Sequence, residues 1–141
     1  MNENAFFESY TRIFGKQIKM DEAGNRFYEV FYQYFLASSP DVADAFKNTD
    51  MREQVNTLKR SLLYSINFMT NTQNFDSMHR IAISHNKHNY NIKPELYDLW
   101  MECMIKTVSE FDPEFNDEVE LAWRLAFAPG ITYMKFMYDK N

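Results

Sequence analysis

The stretch Phe31–Phe46, FYQYFLASSPDVADAF, contains part of one helix, a sharp break and the beginning of a second helix. Phe31 and Phe35 lie one turn apart on the same helical face. Ser39 then offers a hydroxyl that can cap a helix, and Pro40 stands at the first helical position, where a missing N–H costs nothing. The stretch therefore predicts a helix running through Phe35 and a short helix after Pro40.

The rest of the chain shows the same helical spacing on both sides of this stretch. Three Gly and four Pro in 141 residues are too few for the frequent turns of a β-rich fold. No internal repeat or linker interrupts the pattern. We therefore predict an all-α fold of six long helices and a short one, in a single domain over 1–141. The apolar stripes that carry this prediction are Phe6–Phe14, Phe27–Phe35, Val55–Met69, Phe75–His85, Leu96–Phe111 and Val119–Met134.

Four further positions carry signals for the beginning of a helix. Asp112 followed by Pro113 resembles the Ser-Pro pair described above, and predicts a helix that begins at this proline. Pro94 has the same placement without a good cap before it. Asp50 is followed by an acidic residue three positions later, which is typical of a capping box. Asp21 is a plausible cap for the helix that runs to the Ser-Pro pair.

Pro129 falls inside the last apolar stripe. A proline ring clashes with the carbonyl four residues earlier, so the helix either ends or kinks there. The apolar spacing resumes through Met134 and Met137, which favours a kink.

Composition and charge exclude several classes of partner. The formal net charge is −5, whereas proteins that bind nucleic acid or anionic membranes carry clustered Lys and Arg. No apolar run approaches the length that spans a bilayer, and Met1–Asn4 lacks the features of a secretory signal. Cys103 is the only cysteine, so no disulfide forms within the chain. We expect a cytoplasmic protein that binds neither nucleic acid nor membrane.

Three histidines are the candidate metal ligands: His79, His85 and His88. His85 ends an apolar stripe, with Ile81 one turn before it on the same face. Ser84 is adjacent and can share the hydrogen bond of the second imidazole nitrogen, which a metal-bound histidine normally needs. His88 lies on a more polar face. His85 and His88 are three residues apart and can chelate zinc together, although no Cys or carboxylate is well placed to complete the site.

Four segments resemble the globin family, and the nearest likeness is to bacterial single-domain haemoglobins and the haem domain of flavohaemoglobins. Phe31–Phe46 resembles the B helix, C helix and CD corner of that family. Gln54–Leu58 resembles the bacterial distal E helix. Ile81–His85 resembles the end of the F helix, and Ile92–Tyr97 resembles the motif that opens the G helix. The resemblance covers nearly the whole chain in consistent order.

This resemblance implies a globin fold of six to seven helices around one pocket for haem b. It implies that His85 is the iron ligand and that Phe46 packs on the haem. It places Tyr32 and Gln54 on the opposite face, where both can donate hydrogen bonds to a bound diatomic gas. The further haem contacts that we expect from it are Leu58, Ile81, Tyr97, Lys93 and His88. The candidate partners of the haem propionates are Lys93, Lys87 and His88.

The chain departs from the family pattern near the proposed ligand. The segment from His85 to Tyr97 is about two residues longer than in the bacterial proteins, and the usual spacing would make His88 the ligand. Helix phase and the neighbouring Ile81 favour His85. Flavohaemoglobins carry a glutamate that is hydrogen-bonded to the proximal histidine, and here Tyr138 aligns with it.

Three functions follow from the resemblance. The first is reversible binding of oxygen, nitric oxide or carbon monoxide by a carrier, store or sensor. The second is a nitric-oxide dioxygenase or peroxidase-like enzyme, which requires a separate reductase because 141 residues leave no room for one. The third is a haem-free signalling module, which is disfavoured because the chain keeps a candidate ligand.

Overall fold

The computed structural model describes residues 4–15, 25–70 and 76–140. Within these ranges the regular structure is entirely helical, which confirms the all-α prediction and the number of helices. Asp21 and Phe75 lie outside the described residues. The helices are α1 (Ala5–Phe14), α2 (Arg26–Ser38), α3 (Pro40–Ala45), α4 (Met51–Thr70), α5 (Asp76–His85), α6 (Glu95–Phe111) and α7 (Asp117–Met137).

The break between α2 and α3 has the predicted geometry. Ser39 is in extended conformation, and its hydroxyl oxygen accepts a hydrogen bond from the backbone N–H of Asp41 at 3.1 Å. Pro40 occupies the first turn of α3. Asp50 likewise accepts a hydrogen bond from the backbone N–H of Arg52 at 3.0 Å at the beginning of α4. These two caps fix where the short helix and the following long helix begin.

The predicted helix start at Asp112-Pro113 is wrong. The Asp112 carboxylate accepts the backbone N–H of Glu114 at 2.9 Å, and the segment forms a turn instead of a helix. Helix α7 begins at Asp117, and Asn116 caps it by accepting the N–H of Val119 at 2.9 Å. Pro94 also stands at the cap position, one residue before α6, and not at the first helical position.

Helix α7 continues through Pro129 to Met137, as the resumed apolar spacing favours. Gly130 follows the proline and faces α5, where a Cβ atom would lie 3.2 Å from Met78 Cε. A side chain at this position would therefore contact the flexible end of Met78 between the two helices. This contact matters because α5 carries His85 at its last position.

The core is rich in aromatic side chains. Trp123 on α7 and Phe31 on α2 are fully buried. The Phe6 ring of α1 packs edge-to-face on Trp123, with 4.8 Å between centroids. Phe31 packs on Trp100 of α6 at 5.7 Å, which joins α2 to the same cluster. Such aromatic pairs stabilise the fold beyond the effect of the apolar area that they remove from water. Because these rings belong to α7 and α2, the two helices lie at the centre of the helix packing.

A buried polar network fastens α1 to the turn before α7. Asp112 accepts hydrogen bonds from Ser9 Oγ at 2.6 Å and from Arg12 Nε at 2.6 Å, and Trp123 Nε1 donates to Ser9 at 2.9 Å. Burial alone would raise the pKa of Asp112, but the hydrogen bonds from Arg12, Ser9 and Glu114 outweigh it and lower the pKa. The carboxylate is therefore held in its charged form inside the fold.

Among the described residues, no helix is both long enough and apolar enough to cross a membrane.

Candidate functional site

A cavity of about 380 Å³ opens between the helices, and residues of α2 to α7 line it. This volume lies within the range of small-molecule sites in proteins. Its wall is mainly apolar, with Phe35, Val42, Leu58, Leu96 and Phe127 among the buried side chains that contribute. The cavity therefore favours an apolar ligand over a small polar one.

His85 reaches this cavity from the last residue of α5. Its Nδ1 lies 2.7 Å from the carbonyl oxygen of Ile81 and 2.9 Å from Ser84 Oγ. A carbonyl only accepts hydrogen bonds, and the Ser84 hydroxyl itself donates to the same carbonyl at 2.7 Å. Nδ1 must therefore carry the proton, which leaves the lone pair on Nε2 free.

Burial lowers the pKa of His85, and the hydrogen bond to the Ile81 carbonyl opposes this effect only in part. The imidazole is thus favoured in its neutral form near neutral pH. A neutral imidazole with its second nitrogen held by a carbonyl and a hydroxyl is the arrangement that orients a metal-binding histidine.

Tyr32 of α2 and Gln54 of α4 form a polar pair in the same cavity wall. Gln54 Nε2 donates a hydrogen bond to the Tyr32 hydroxyl oxygen at 3.0 Å. Because the phenol oxygen accepts in this bond, the phenol keeps its own O–H as a donor. Burial raises the pKa of Tyr32 strongly, and the contact with Gln54 opposes this only in part, so the donor stays protonated.

Phe46 is the C-cap residue that follows α3, and it lines the cavity beside this pair. Its ring packs edge-to-face on Tyr32 at 5.8 Å and on Phe35 at 6.0 Å between centroids. The Tyr32 ring is therefore held by neighbouring rings as well as by its hydroxyl, which fixes the position of the phenol oxygen.

The loop after His85 is fastened to the end of α7. Lys87 N–H donates to the carbonyl of Tyr138 at 2.9 Å, and the Tyr138 hydroxyl donates to Asn91 Oδ1 at 2.5 Å. Tyr90 in this loop packs edge-on against the His85 ring at 5.9 Å. Tyr138 thus holds the loop and does not bond the His85 imidazole. The described hydrogen bonds of the imidazole are to Ile81 and Ser84.

The structure brings most of the predicted site residues together. Two others, His88 and Lys93, are exposed and do not line the cavity, so their contact with the charged edge of a cofactor stays a prediction. The predicted residues that line it are Tyr32, Phe46, Gln54, Leu58, Ile81, His85 and Tyr97.

Sequence reasoning missed part of the wall, on α2 to α4 as well as on α6 and α7. Trp100 lies one turn after Leu96 on α6 and lines the cavity with it. On α7 the lining positions are Phe127, Gly130, Ile131 and Met134. Their spacing of three, four and seven residues is a helical face that the sequence already contained. This apolar spacing was visible in the sequence, but the stripe that contains Trp123 was interpreted as core packing and not as the wall of a cavity.

No cluster of three or more His, Cys, Asp or Glu side chains able to hold a metal occurs in the part of the chain that the structure describes. The zinc alternative therefore has no completing ligands there. A lone neutral imidazole in an apolar cavity suits a metal whose other ligands come from a cofactor. The iron of a porphyrin is such a metal.

The comparisons with known proteins agree with this geometry. A family model described as Globin matches residues 29–133. A solved structure from Pseudomonas aeruginosa PAO1, described as structurally highly homologous to a human haemoglobin, is 30% identical, with a TM-score of 0.84. The match covers 96% of each chain. The comparison with curated proteins found no match.

Proposed function

We propose that this chain, which belongs to the globin family, holds one haem b through His85 and reversibly binds a diatomic gas such as oxygen. The observation that carries the proposal is the state of His85. Its Nδ1 proton is bound by the Ile81 carbonyl and Ser84, so Nε2 is free beside the cavity. Burial also keeps the ring neutral, as a metal ligand must be.

The remaining wall suits a porphyrin. Aromatic and aliphatic side chains would cover its faces, among them Phe46, Leu58, Ile81 and Tyr97. Burial of this apolar area would supply most of the retention, at roughly 25 cal/mol per Å². Lys93 and His88 are exposed, and we assign them to the propionate edge together with Lys87.

Bound haem would supply the iron at which a gas binds, and dioxygen there would accept a hydrogen bond better than carbon monoxide would. Tyr32 would donate its O–H toward the gas, because Gln54 already occupies an acceptor position on the phenol oxygen. The Phe46 and Phe35 rings would keep this donor in place and exclude water. The pair thus favours a ligand that accepts hydrogen bonds.

A carrier, store or sensor fits these contacts better than an oxidative enzyme. The His85 Nδ1–H meets a carbonyl and a hydroxyl, and Tyr138 is hydrogen-bonded to Asn91. A carboxylate at that nitrogen would make the ligand more basic. The described residues supply no such partner, and a nitric-oxide dioxygenase would in addition need a source of electrons.

Replacement of each candidate histidine tests the proposal. His85→Ala should abolish stable haem retention and its Soret absorbance, because the iron would lose its protein ligand. His88→Ala is the matched control and should leave the spectrum nearly unchanged. The reverse pattern would make His88 the ligand. Retention of haem by both variants would refute ligation by a single one of these two histidines.

A further inference from the structure

Asn86 directly follows the candidate ligand His85 and is buried at the beginning of an exposed loop. It is 2% exposed, whereas residues 87–91 are all exposed. Burying an asparagine side chain costs free energy unless its amide oxygen and nitrogen are both hydrogen-bonded. A polar side chain buried at this position therefore needs partners of its own.

The Asn86 side chain has those partners inside the loop and beyond it. Its Oδ1 accepts the backbone N–H of His88 at 3.0 Å and an Nδ2–H of Asn89 at 3.1 Å. Its Nδ2 donates to the carbonyl of Lys140 at 3.3 Å. A backbone N–H only donates and a carbonyl only accepts, so these partners fix which way round the amide lies. The loop of residues 87–92 is thus wound around one side chain, which also ties it to the segment after α7.

The 87–92 loop returns to the last two residues of α5. The backbone N–H of Tyr90 donates to the Ser84 carbonyl at 3.0 Å, and that of Ile92 donates to the His85 carbonyl at 2.9 Å. The last turn of a helix leaves its carbonyls without partners inside the helix, so the loop supplies the missing donors. Asn91 has a φ of 55°, a left-handed conformation that asparagine adopts more readily than most residues. The loop therefore caps the part of α5 that carries the imidazole.

Tyr90 brings an aromatic ring from this loop against the imidazole of His85. The two ring centroids are 5.9 Å apart and the ring planes meet at 82°. The hydrogen bonds of Nδ1 hold one corner of the imidazole, whereas the Tyr90 ring restricts the rotation of its plane. Tyr90 is 73% exposed, so core packing does not hold its ring in place. The position of the ring follows from the backbone of the loop, and hence from the Asn86 side chain.

We propose that Asn86 is a positioning residue for His85, which acts through the 87–92 loop and the Tyr90 ring to fix the plane of the imidazole. The inference rests on the proposed function in one respect, namely that Nε2 of His85 binds the haem iron. Groups that orient a metal-binding histidine typically change the affinity for the metal by about 10- to 100-fold when they are lost. Asn86 thus contributes to haem retention through His85 and not through a contact of its own.

Resonance Raman spectroscopy of the haem-loaded, ferrous, gas-free chain tests this role, because it detects the stretching vibration of the bond between iron and histidine. Asn86→Ala should broaden this band and shift it to lower frequency, since the imidazole plane then takes several orientations. The variant should also raise the rate of haem dissociation about tenfold. Asn48→Ala is the matched control, because Asn48 is an exposed asparagine in the turn after α3, and it should change neither quantity.

Variants of Tyr90 separate positioning from a general effect on stability. Tyr90→Ala should shift the band as Asn86→Ala does, because both variants remove the same ring contact. The double variant should shift it no further than the larger of the two single effects, since the two residues act through one contact. Tyr90→Phe keeps the ring and should retain the wild-type band.

Asn89→Ala gives the same readout if Asn86→Ala does not fold. Asn89 is exposed, and its replacement removes one hydrogen bond to the Asn86 amide, so the band should shift less and in the same direction.

Two results would overturn this inference alone: a wild-type band that persists in the Asn86 and Asn89 variants, or shifts that add in the double variant. A wild-type chain that binds haem without any iron–histidine band would contradict ligation by His85, and with it both the proposed function and the role of Asn86.

Discussion

At the scale of single residues, the site depends on which atom donates each hydrogen bond. The Ile81 carbonyl can only accept, so it fixes the tautomer of His85. Gln54 donates to Tyr32, so the phenol remains a donor toward the cavity. Both polar groups therefore present a defined atom to the cavity, a lone pair on the His85 side and a proton on the Tyr32 side.

Tyr32→Phe tests the donor. A hydrogen bond to a partly charged acceptor contributes about 1.5–3 kcal/mol, which corresponds to about tenfold to a hundredfold in a rate. In the haem-loaded ferrous protein, this variant should release oxygen faster by that factor and carbon monoxide much less so. Gln54→Leu should act in the same direction more weakly, and stopped-flow dissociation kinetics measure both. Equal acceleration of the two gases would make Tyr32 a packing residue only.

Side-chain type and helical spacing predicted the neighbours of His85, whereas the resemblance to the globin family implied the places of Tyr32 and Gln54. Ser84 and Ile81 were identifiable as neighbours of His85 from helical spacing alone, and the structure confirms their contacts. The pairing of Tyr32 with Gln54 joins residues 22 apart on different helices. The resemblance placed them on adjoining helices, but the direction of the hydrogen bond depends on tertiary packing.

At the scale of elements, a local capping pattern is not enough to place the beginning of a helix. Ser39 accepts the backbone N–H of Asp41 and α3 follows, so the prediction of that break was correct. Asp112 makes the same local contact with the backbone N–H of Glu114, yet a turn follows and α7 begins only at Asp117. The Asp112 carboxylate is also bound by Arg12 and Ser9, about 100 residues earlier in the chain, and the local pattern does not contain these partners.

Gly130 lies where α7 contacts α5. Gly130→Ala should be nearly neutral, because the tightest contact of its Cβ would be the flexible end of Met78, at 3.2 Å, and alanine favours a helix. Gly130→Leu should lower the free energy of unfolding by about 1–3 kcal/mol, as overpacking does. Chemical denaturation of the two variants and the wild type measures this. A leucine variant as stable as the alanine variant would show that the helices have room to separate.

At the scale of the whole molecule, the Ser9–Asp112–Arg12 network joins α1 to the turn before α7. The Asp112 side chain is fully buried, and Arg12 contacts it with two nitrogens at 2.6 and 2.8 Å. Removing one partner of such a charged hydrogen bond costs on the order of 2 kcal/mol. This network was invisible in the sequence, since no local pattern links positions so far apart.

The same network predicts how stability depends on pH. The pKa of Asp112 is lower in the folded chain than in the unfolded chain, so its contribution is complete above the unfolded value near 4. It is lost as the pH falls through the lower, folded value. The free energy of unfolding should therefore fall steeply below about pH 4, and less steeply in Asp112→Asn.

Asp44→Asn is the control for this pH dependence. Asp44 pairs with Lys47 at 3.0 Å at the surface, and an exposed pair contributes little to stability. Denaturation curves measured from pH 7 downward should coincide for this variant and the wild type. An Asp112→Asn curve that also follows the wild type would show that the network does not contribute to acid sensitivity.

Titration of the purified chain with haem, followed by Soret absorbance, tests the central claim most directly. The cavity and the free Nε2 of His85 predict saturation at one haem per chain, with a spectrum typical of histidine ligation. The His85→Ala variant should fail to reach that saturation. A linear absorbance increase without saturation, identical in the wild type and in His85→Ala, would contradict the account.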